Sequence, residues 1–411
     1  MSKLITNTIR HTGASSDSLT FNSDGHATVE NNLTVDGTST LTGNVTASGT
    51  LTASNFSNRN IVINGACNVA QRATTSTADG IKTVDRMMMA YGGENETPTQ
   101  AQITLTSSDT GPWAKGFRNA FQITNGNQTG GAGVTDYLTW EMPLEAQDIA
   151  NSGWDYTSAS SKITLSFWVK SSVAQDFKGY LKTEDGTEKA YPFATGSLSA
   201  NTWTKITKTI PGEAGLTFNN DNGKGLVITI NPMLGTDKTA SSATENTWQA
   251  WSGSARHQDV TTTFWTTNDA TFAITGIQLE VGDTATEFEH RSYGDELLRC
   301  QRYFETSYNP GVTVGSSSNV GGYYECHSSD NGDNVVFSPT YRVTKRAVPT
   351  DKFWKDDGTA NQWTYSRESG GAGAGVTSFR SSQTHLNGYV DCGASWVPCA
   401  LHGHWSSEAE L

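Results

Sequence analysis

Ile163-Thr164-Leu165-Ser166-Phe167-Trp168-Val169-Lys170 opens in strict apolar/polar alternation and closes on aromatic and β-branched residues. A period of two is the mark of a strand with one buried face, and these side chains suit a pleated, half-buried surface. The same texture returns over residues 202–210, 226–230 and 272–279. Glu184-Asp185-Gly186, Pro211-Gly212 and Asp221-Asn222-Gly223 supply turns between these runs. Strands broken by turns, with no helical pattern between them, predict a jelly-roll β-sandwich over residues 59–294.

The composition agrees. Of 411 residues, 35% are hydrophobic and only 17% charged, the balance being filled by residues of turns and strands. A chain this long exceeds one core and divides into two or three domains. The net charge of −13, with no basic run, points away from a nucleic-acid partner. No apolar run approaches the ~20 residues of a membrane span, so no membrane insertion is expected. The opening residues hold no apolar leader core, which predicts synthesis in a host cytoplasm. Five cysteines, Cys67, Cys300, Cys326, Cys392 and Cys399, are odd in number and scattered, and read as small buried hydrophobes.

Residues 1–58 stand apart. From Val29 to Ala53 every apolar residue falls at an odd position, through Leu33, Val35, Leu41, Val45, Ala47 and Leu51. A ribbon of Thr, Gly and small apolar residues buries too little to stand alone. Winding around identical copies solves this, so residues 1–58 are expected to form an intertwined β stalk in a homotrimer. Asp295 to Phe304 reads as a short helix with acidic residues at its start. Residues 295–411 then continue as a small C-terminal β tip domain. Val335-Val336-Phe337 and Tyr341-Arg342-Val343 read as strands there, and the glycine-rich stretch 370–375 as a flexible loop.

Three islands carry a further signal. The first is Asn60-Ile61-Val62-Ile63-Asn64-Gly65 followed by Val69-Ala70-Gln71-Arg72. The second is Gly276-Ile277-Gln278-Leu279-Glu280-Val281-Gly282, continuing through Glu287-Phe288-Glu289 and Arg291-Ser292-Tyr293 to Cys300-Gln301-Arg302-Tyr303-Phe304. The third runs from Pro339 through Arg342-Val343-Thr344-Lys345-Arg346 to Pro349-Thr350. These islands resemble the tail fibres of tailed bacteriophages, although Ala73 stands where such fibres carry glycine. The resemblance implies a jelly roll similar to carbohydrate-binding modules, a trimer, and a place on the virion in host adsorption. It further implies that residues 1–30 dock a tail or capsid protein, and that a host surface glycan or protein is the receptor. A capsid-decorating head fibre is the alternative within that class.

Flat indole faces stack on sugar rings while amides and carboxylates take the hydroxyls. Trp248, Trp251 and Trp265 cluster in a polar stretch, and Trp363 and Trp396 lie in the tip, so these five are the candidate glycan or receptor contacts. Trp168 and Trp203 sit in strand patterns and read as core. A polysaccharide depolymerase would need paired carboxylates. Glu141, Glu145, Asp148, Asp155, Asp351, Asp356 and Asp357 offer carboxylates without a catalytic motif, and no enzyme activity and no cofactor are expected. Cys392, Cys399, His402 and His404 could supply four zinc ligands, but their spacing is not a standard one, and the histidines read better as strand alternation.

Overall fold

The computed structural model describes residues 8–9, 19–21, 27–29, 58–327, 334–367, 370–391 and 399–411. Alternation along Lys162–Ser171 is used as the sequence implies: Ile163, Leu165, Phe167 and Val169 all point inward and are fully buried. They belong to one core with Leu181, Phe193, Ile228, Ile230 and Trp140. That core fills the space between two six-stranded antiparallel sheets. The first sheet runs in the order Gln249–Ala250, Lys189–Ser197, Asp176–Thr183, Lys224–Leu234, Tyr137–Glu145, Met88–Gly92. The second runs Thr204–Pro211, Lys162–Ser171, Thr271–Val281, Asn119–Thr124, Thr99–Thr104, Thr75–Ser76. The chain is therefore all-β in plan, with a jelly-roll sandwich at its centre.

Trp168 corrects one expectation. With Phe167 and Val169 both facing the core, Trp168 cannot do the same. It is half-buried on the outer face of the second sheet, with Trp113 and Phe288 beside it. Cys67 and Cys300 are buried free thiols, and burial pushes Cys67 up to about 12.

The first island of sequence staples the chain to the strand Thr271–Val281. Asn60 donates from Nδ2 to the Ile277 carbonyl at 3.0 Å, and its Oδ1 accepts from the Val62 and Leu279 amides. Gly65 lies so close that a Cβ there would sit 2.0 Å from the Ile277 oxygen. Gly65→Ala is therefore expected to lower stability by about 1–3 kcal/mol, read as a drop in thermal midpoint by calorimetry.

The short helix is Tyr293–Gln301, two residues earlier than its acidic start suggests, because Ser292 caps it by accepting from the Asp295 amide at 3.2 Å. The tip beyond it is an eight-stranded antiparallel sheet organised on Cys399–Glu408, which pairs with Phe304–Thr306, Tyr323–His327, Thr350–Trp354 and Gln362–Arg367. Phe337, Phe353, Trp363, Leu386, Leu401 and Trp405 form its core. The glycine-rich stretch expected as a loop is the strand Gly370–Ser378, because pairing with Gln362–Arg367 on one side and Gly388–Asp391 on the other supplies the backbone bonds that its composition does not promise. Residues 341–343, expected as a strand, are not one. Tyr341 turns its hydroxyl onto Ser407 and Asp351 instead, and only Thr340 makes a bridge, to His385.

Residues 55–411 make one compact unit, and buried ions join sandwich to tip inside it. Arg72 and Arg86 of the sandwich both reach Glu410, while Arg302 holds Glu145 through two bonds of 2.7 and 2.9 Å. Lys345 and Glu305 pair in the tip with almost no solvent contact. Residues 1–54 form a separate unit, of which Thr8–Ile9, Leu19–Phe21 and Ala27–Val29 pair as an antiparallel meander. The alternating ribbon over residues 33–53, on which the intertwined stalk rests, lies outside the described residues. Among the described residues no helix is long and apolar enough to cross a membrane.

Candidate functional site

Leu181, Ile228 and Trp140 of the first sheet face the core, so their neighbours along each strand face outward. Register then draws a line across that outer face: Met88 opposite Glu141, Glu141 opposite Thr229, Thr229 opposite Tyr180, and Tyr180 opposite Pro192. Beside this row, Asn231 stands opposite Lys178. The sheet thus presents a polar strip of carboxylate, hydroxyl, phenol and amide.

Residues 235–262 form a strap over this strip. Its fixed points are the pairing of Gln249–Ala250 with Lys189 and Ala190, a 2.7 Å bond from the Asn246 amide to the Pro192 carbonyl, and a 2.5 Å ion pair between Glu245 and Lys178. Trp251 follows, its amide bonded to the Glu188 carbonyl at 3.0 Å. Its indole lies 5.3 Å from the Tyr180 ring at an interplanar angle of 52° and remains half-exposed. The Lys182 ammonium sits 4.8 Å from the indole centroid and the Arg256 guanidinium 5.5 Å from it. Lys182 is itself held by Glu184 and Glu188 at 3.1 and 2.8 Å. Cations over an indole fix its plane.

Burial tunes the groups in and beneath the strap. Tyr180 is pushed up to about 12 by desolvation, with Glu141 adding to the effect. Glu141 is raised as well, again by desolvation first. His257 is driven down to about 4, because burial disfavours the imidazolium, so it stays neutral. Its Nδ1 donates to the Gln258 carbonyl at 2.6 Å, which leaves Nε2 as a bare acceptor.

The five predicted tryptophans divide. Trp251 holds the half-exposed place just described. Trp248, Trp265 and Trp363 are corrections, being 7%, 1% and 0% exposed. Each spends its indole N–H inside the protein: Trp248 on the Pro211 carbonyl, Trp265 on Gly131 and Trp363 on His404. None has a face left for a ligand. Trp396 lies outside the described residues. Tyr180, Asn231 and His257 went unread in the sequence. The polar-apolar alternation of Lys178-Gly179-Tyr180-Leu181-Lys182 was the available signal for the first of them.

Of the four candidate metal ligands, Cys392 is outside the described residues and nothing is described of the Cys399 side chain. His402 donates from Nδ1 to Asp356 at 2.6 Å, whereas His404 lies stacked on Tyr308 and bonds the Ser318 carbonyl from Nε2. Among the described residues no three His, Cys, Asp or Glu side chains are placed to share an ion. Several of the candidate carboxylates have structural partners: Glu145 has Arg302, Asp351 has Tyr341 and Ser407, and Asp357 has Lys355.

No family profile matches the chain, and no curated protein matches it. Solved structures resemble the chain at a distance. The enzymatically active domain of tailspike protein 4 from bacteriophage CBA120 is 10% identical with a TM-score of 0.30, over 54% of this chain and 21% of its own. The CBM22-1 xylan-binding domain of Paenibacillus barcinonensis Xyn10C is 12% identical with a TM-score of 0.24, over 53% of this chain and 100% of its own. The family 11 carbohydrate-binding module of Clostridium thermocellum Lic26A-Cel5E is 12% identical with a TM-score of 0.23, over 54% of this chain and 100% of its own. Likenesses this distant are silent on ligand and chemistry.

Proposed function

We propose that the chain binds a glycan on the outer face of the first sheet, and that it does so as the receptor-binding fibre of a tailed phage. The observation that carries the binding reading is Trp251: a half-exposed indole, backed by Tyr180 and pinned by two cations, over a strip of hydrogen-bonding side chains. An indole so placed offers a stacking plane, and the strip offers partners for hydroxyls. The fibre reading rests on the three islands of sequence that resemble such proteins. In it the protein is a homotrimer in the virion, residues 1–30 attach to a tail or capsid protein, and the work is adhesion without catalysis. Three chains on each fibre would turn a weak contact into lasting adsorption through avidity.

Trp251→Ala is expected to weaken glycan binding by roughly thirtyfold, about 2 kcal/mol, with the fold intact. Calorimetric titration with a glycan retained from an array of bacterial surface polysaccharides measures it. Light scattering of the full chain tests the assembly: three times 44.1 kDa is expected, and a monomer would remove the trimer from the reading.

A further inference from the structure

Asn231 and His257 are both fully buried, yet neither end of the Asn231 amide and not the Nε2 of His257 has a hydrogen-bond partner. Buried polar atoms are nearly always satisfied, and an unmet one is a cost that a fold retains for a reason. The two residues belong to one place. Asn231 is opposite Lys178 on the sheet, His257 lies 6.3 Å from the Tyr180 ring two residues along the same strand, and the Lys178 charge bears on His257 directly. Asn231, Lys178 and Tyr180 lie under the strap, and His257 belongs to it.

We propose that the segment 251–256 of the strap lifts to admit one neutral, hydroxyl-bearing sugar unit, which Asn231 then holds from the sheet and His257 from the standing end of the strap while Trp251 covers it. This rests on the glycan reading of the same face and adds to it a lid, a subsite and a ligand class. The chemistry fits a pair of neighbouring hydroxyls: the Asn231 amide gives one N–H and takes one O–H, and His257 Nε2 takes another O–H. A neutral unit is favoured because the lysines here are already neutralised. Lys178 is held by Asp176 at 2.9 Å and by Glu245 at 2.5 Å, and Lys182 by Glu184 and Glu188. A sugar carboxylate would have to compete with those pairs. The lifting segment hangs on two backbone bonds, from the Trp251 amide to Glu188 and from the Arg256 amide to Lys238, both 3.0 Å, and on one side-chain bond from Gln249 Nε2 to the Ala255 carbonyl at 3.3 Å, while the Ala240 amide holds the His257 carbonyl in place at 3.0 Å. Gly253 lies between them with open space where a Cβ would be.

The test uses the full chain on an array of neutral and acidic bacterial surface glycans, with Asn231→Leu, Asn231→Ala and His257→Phe beside the wild type. The expected result is retention of neutral glycans by the wild type, and a loss of at least tenfold in affinity for each variant. Asn231→Leu should keep or raise the melting temperature, since it removes an unmet buried amide. If Asn231→Leu does not fold, Asn231→Ala and His257→Phe decide. Hydrogen exchange at the Trp251 and Arg256 amides should slow when a retained glycan is added. Wild-type binding confined to acidic glycans, variants that bind as the wild type does, or unchanged exchange would each overturn the lid and subsite. A different pattern marks failure of the parent reading: a wild type that retains no glycan, or a Trp251→Ala protein that retains them all.

Discussion

Glu410→Ala is expected to remove about 3–5 kcal/mol of folding stability. The carboxylate of Glu410 is shared. One oxygen lies 3.0 Å from Arg72 and the other pairs with Arg86, whose side chain is only 2% exposed. Arg86 is locked in further by the Pro143 carbonyl at 2.7 Å and by the Tyr303 ring, 3.5 Å from its guanidinium carbon. Truncating Glu410 leaves that cation buried with no counter-ion and no route to water. Arg72 suffers less, since Asp85 and Glu408 remain at 3.4 Å. Chemical denaturation followed by tryptophan fluorescence measures the loss. Replacing both partners, Arg86→Met with Glu410→Leu, should recover much of it, because an apolar pair carries no desolvation penalty. A single variant no less stable than the double one would contradict the burial argument.

The second large effect is hidden in the wild type and appears only in variants. His257 is held down at about 4 against an ordinary 6.5, so the unfolded chain takes up a proton that the folded one refuses. Its contribution is complete above pH 6.5 and is lost as the pH falls towards 4, about 3 kcal/mol in all. Asp85 works in the opposite sense. Desolvation raises it from an ordinary 3.8 to about 6, against the pull of Arg72. Its contribution is complete below pH 3.8 and is lost as the pH rises through 6, again about 3 kcal/mol. Between pH 4 and 6 the two nearly cancel. His257→Gln should therefore gain stability on acidification through that window, and Asp85→Asn should lose it. Denaturation midpoints across the window decide, and two variants with the wild-type slope would show that neither group titrates where burial places it.

The strands were legible because a period of two is written into the chain wherever one face is buried, as at Ile163, Leu165 and Phe167. The same rule should have turned Trp168 outward, since it sits between two core residues. The glycine stretch failed for a different reason. Gly370 to Gly375 has no strand preference of its own, and only its two neighbours in the sheet make it one. The tryptophans divided on a matter no local pattern records. Trp248 and Trp251 share one polar stretch, yet Trp248 closes onto Pro211 while Trp251 faces outward over Tyr180. Asn231 and His257 were beyond reach for the same cause: register and the strap bring them together, and neither is written in the residues beside them. The motif Asn64-Gly65, by contrast, was visible as a pattern, and its meaning is now physical, a close approach to the Ile277 backbone.

The staple at Asn60 has a mechanical consequence. Asn60 and Ile61 are bonded to Ile277 and Leu279, in the middle of the second sheet, and Trp251 is carried by an edge strand of the first. A pull applied at residue 58 against a ligand gripped at Trp251 is therefore borne by the sandwich as shear between its two sheets, across the interlocked core. The eight-stranded tip lies off that line of force. It contributes no strand to that path, but its Glu410 braces Arg72 and Arg86 within the sandwich.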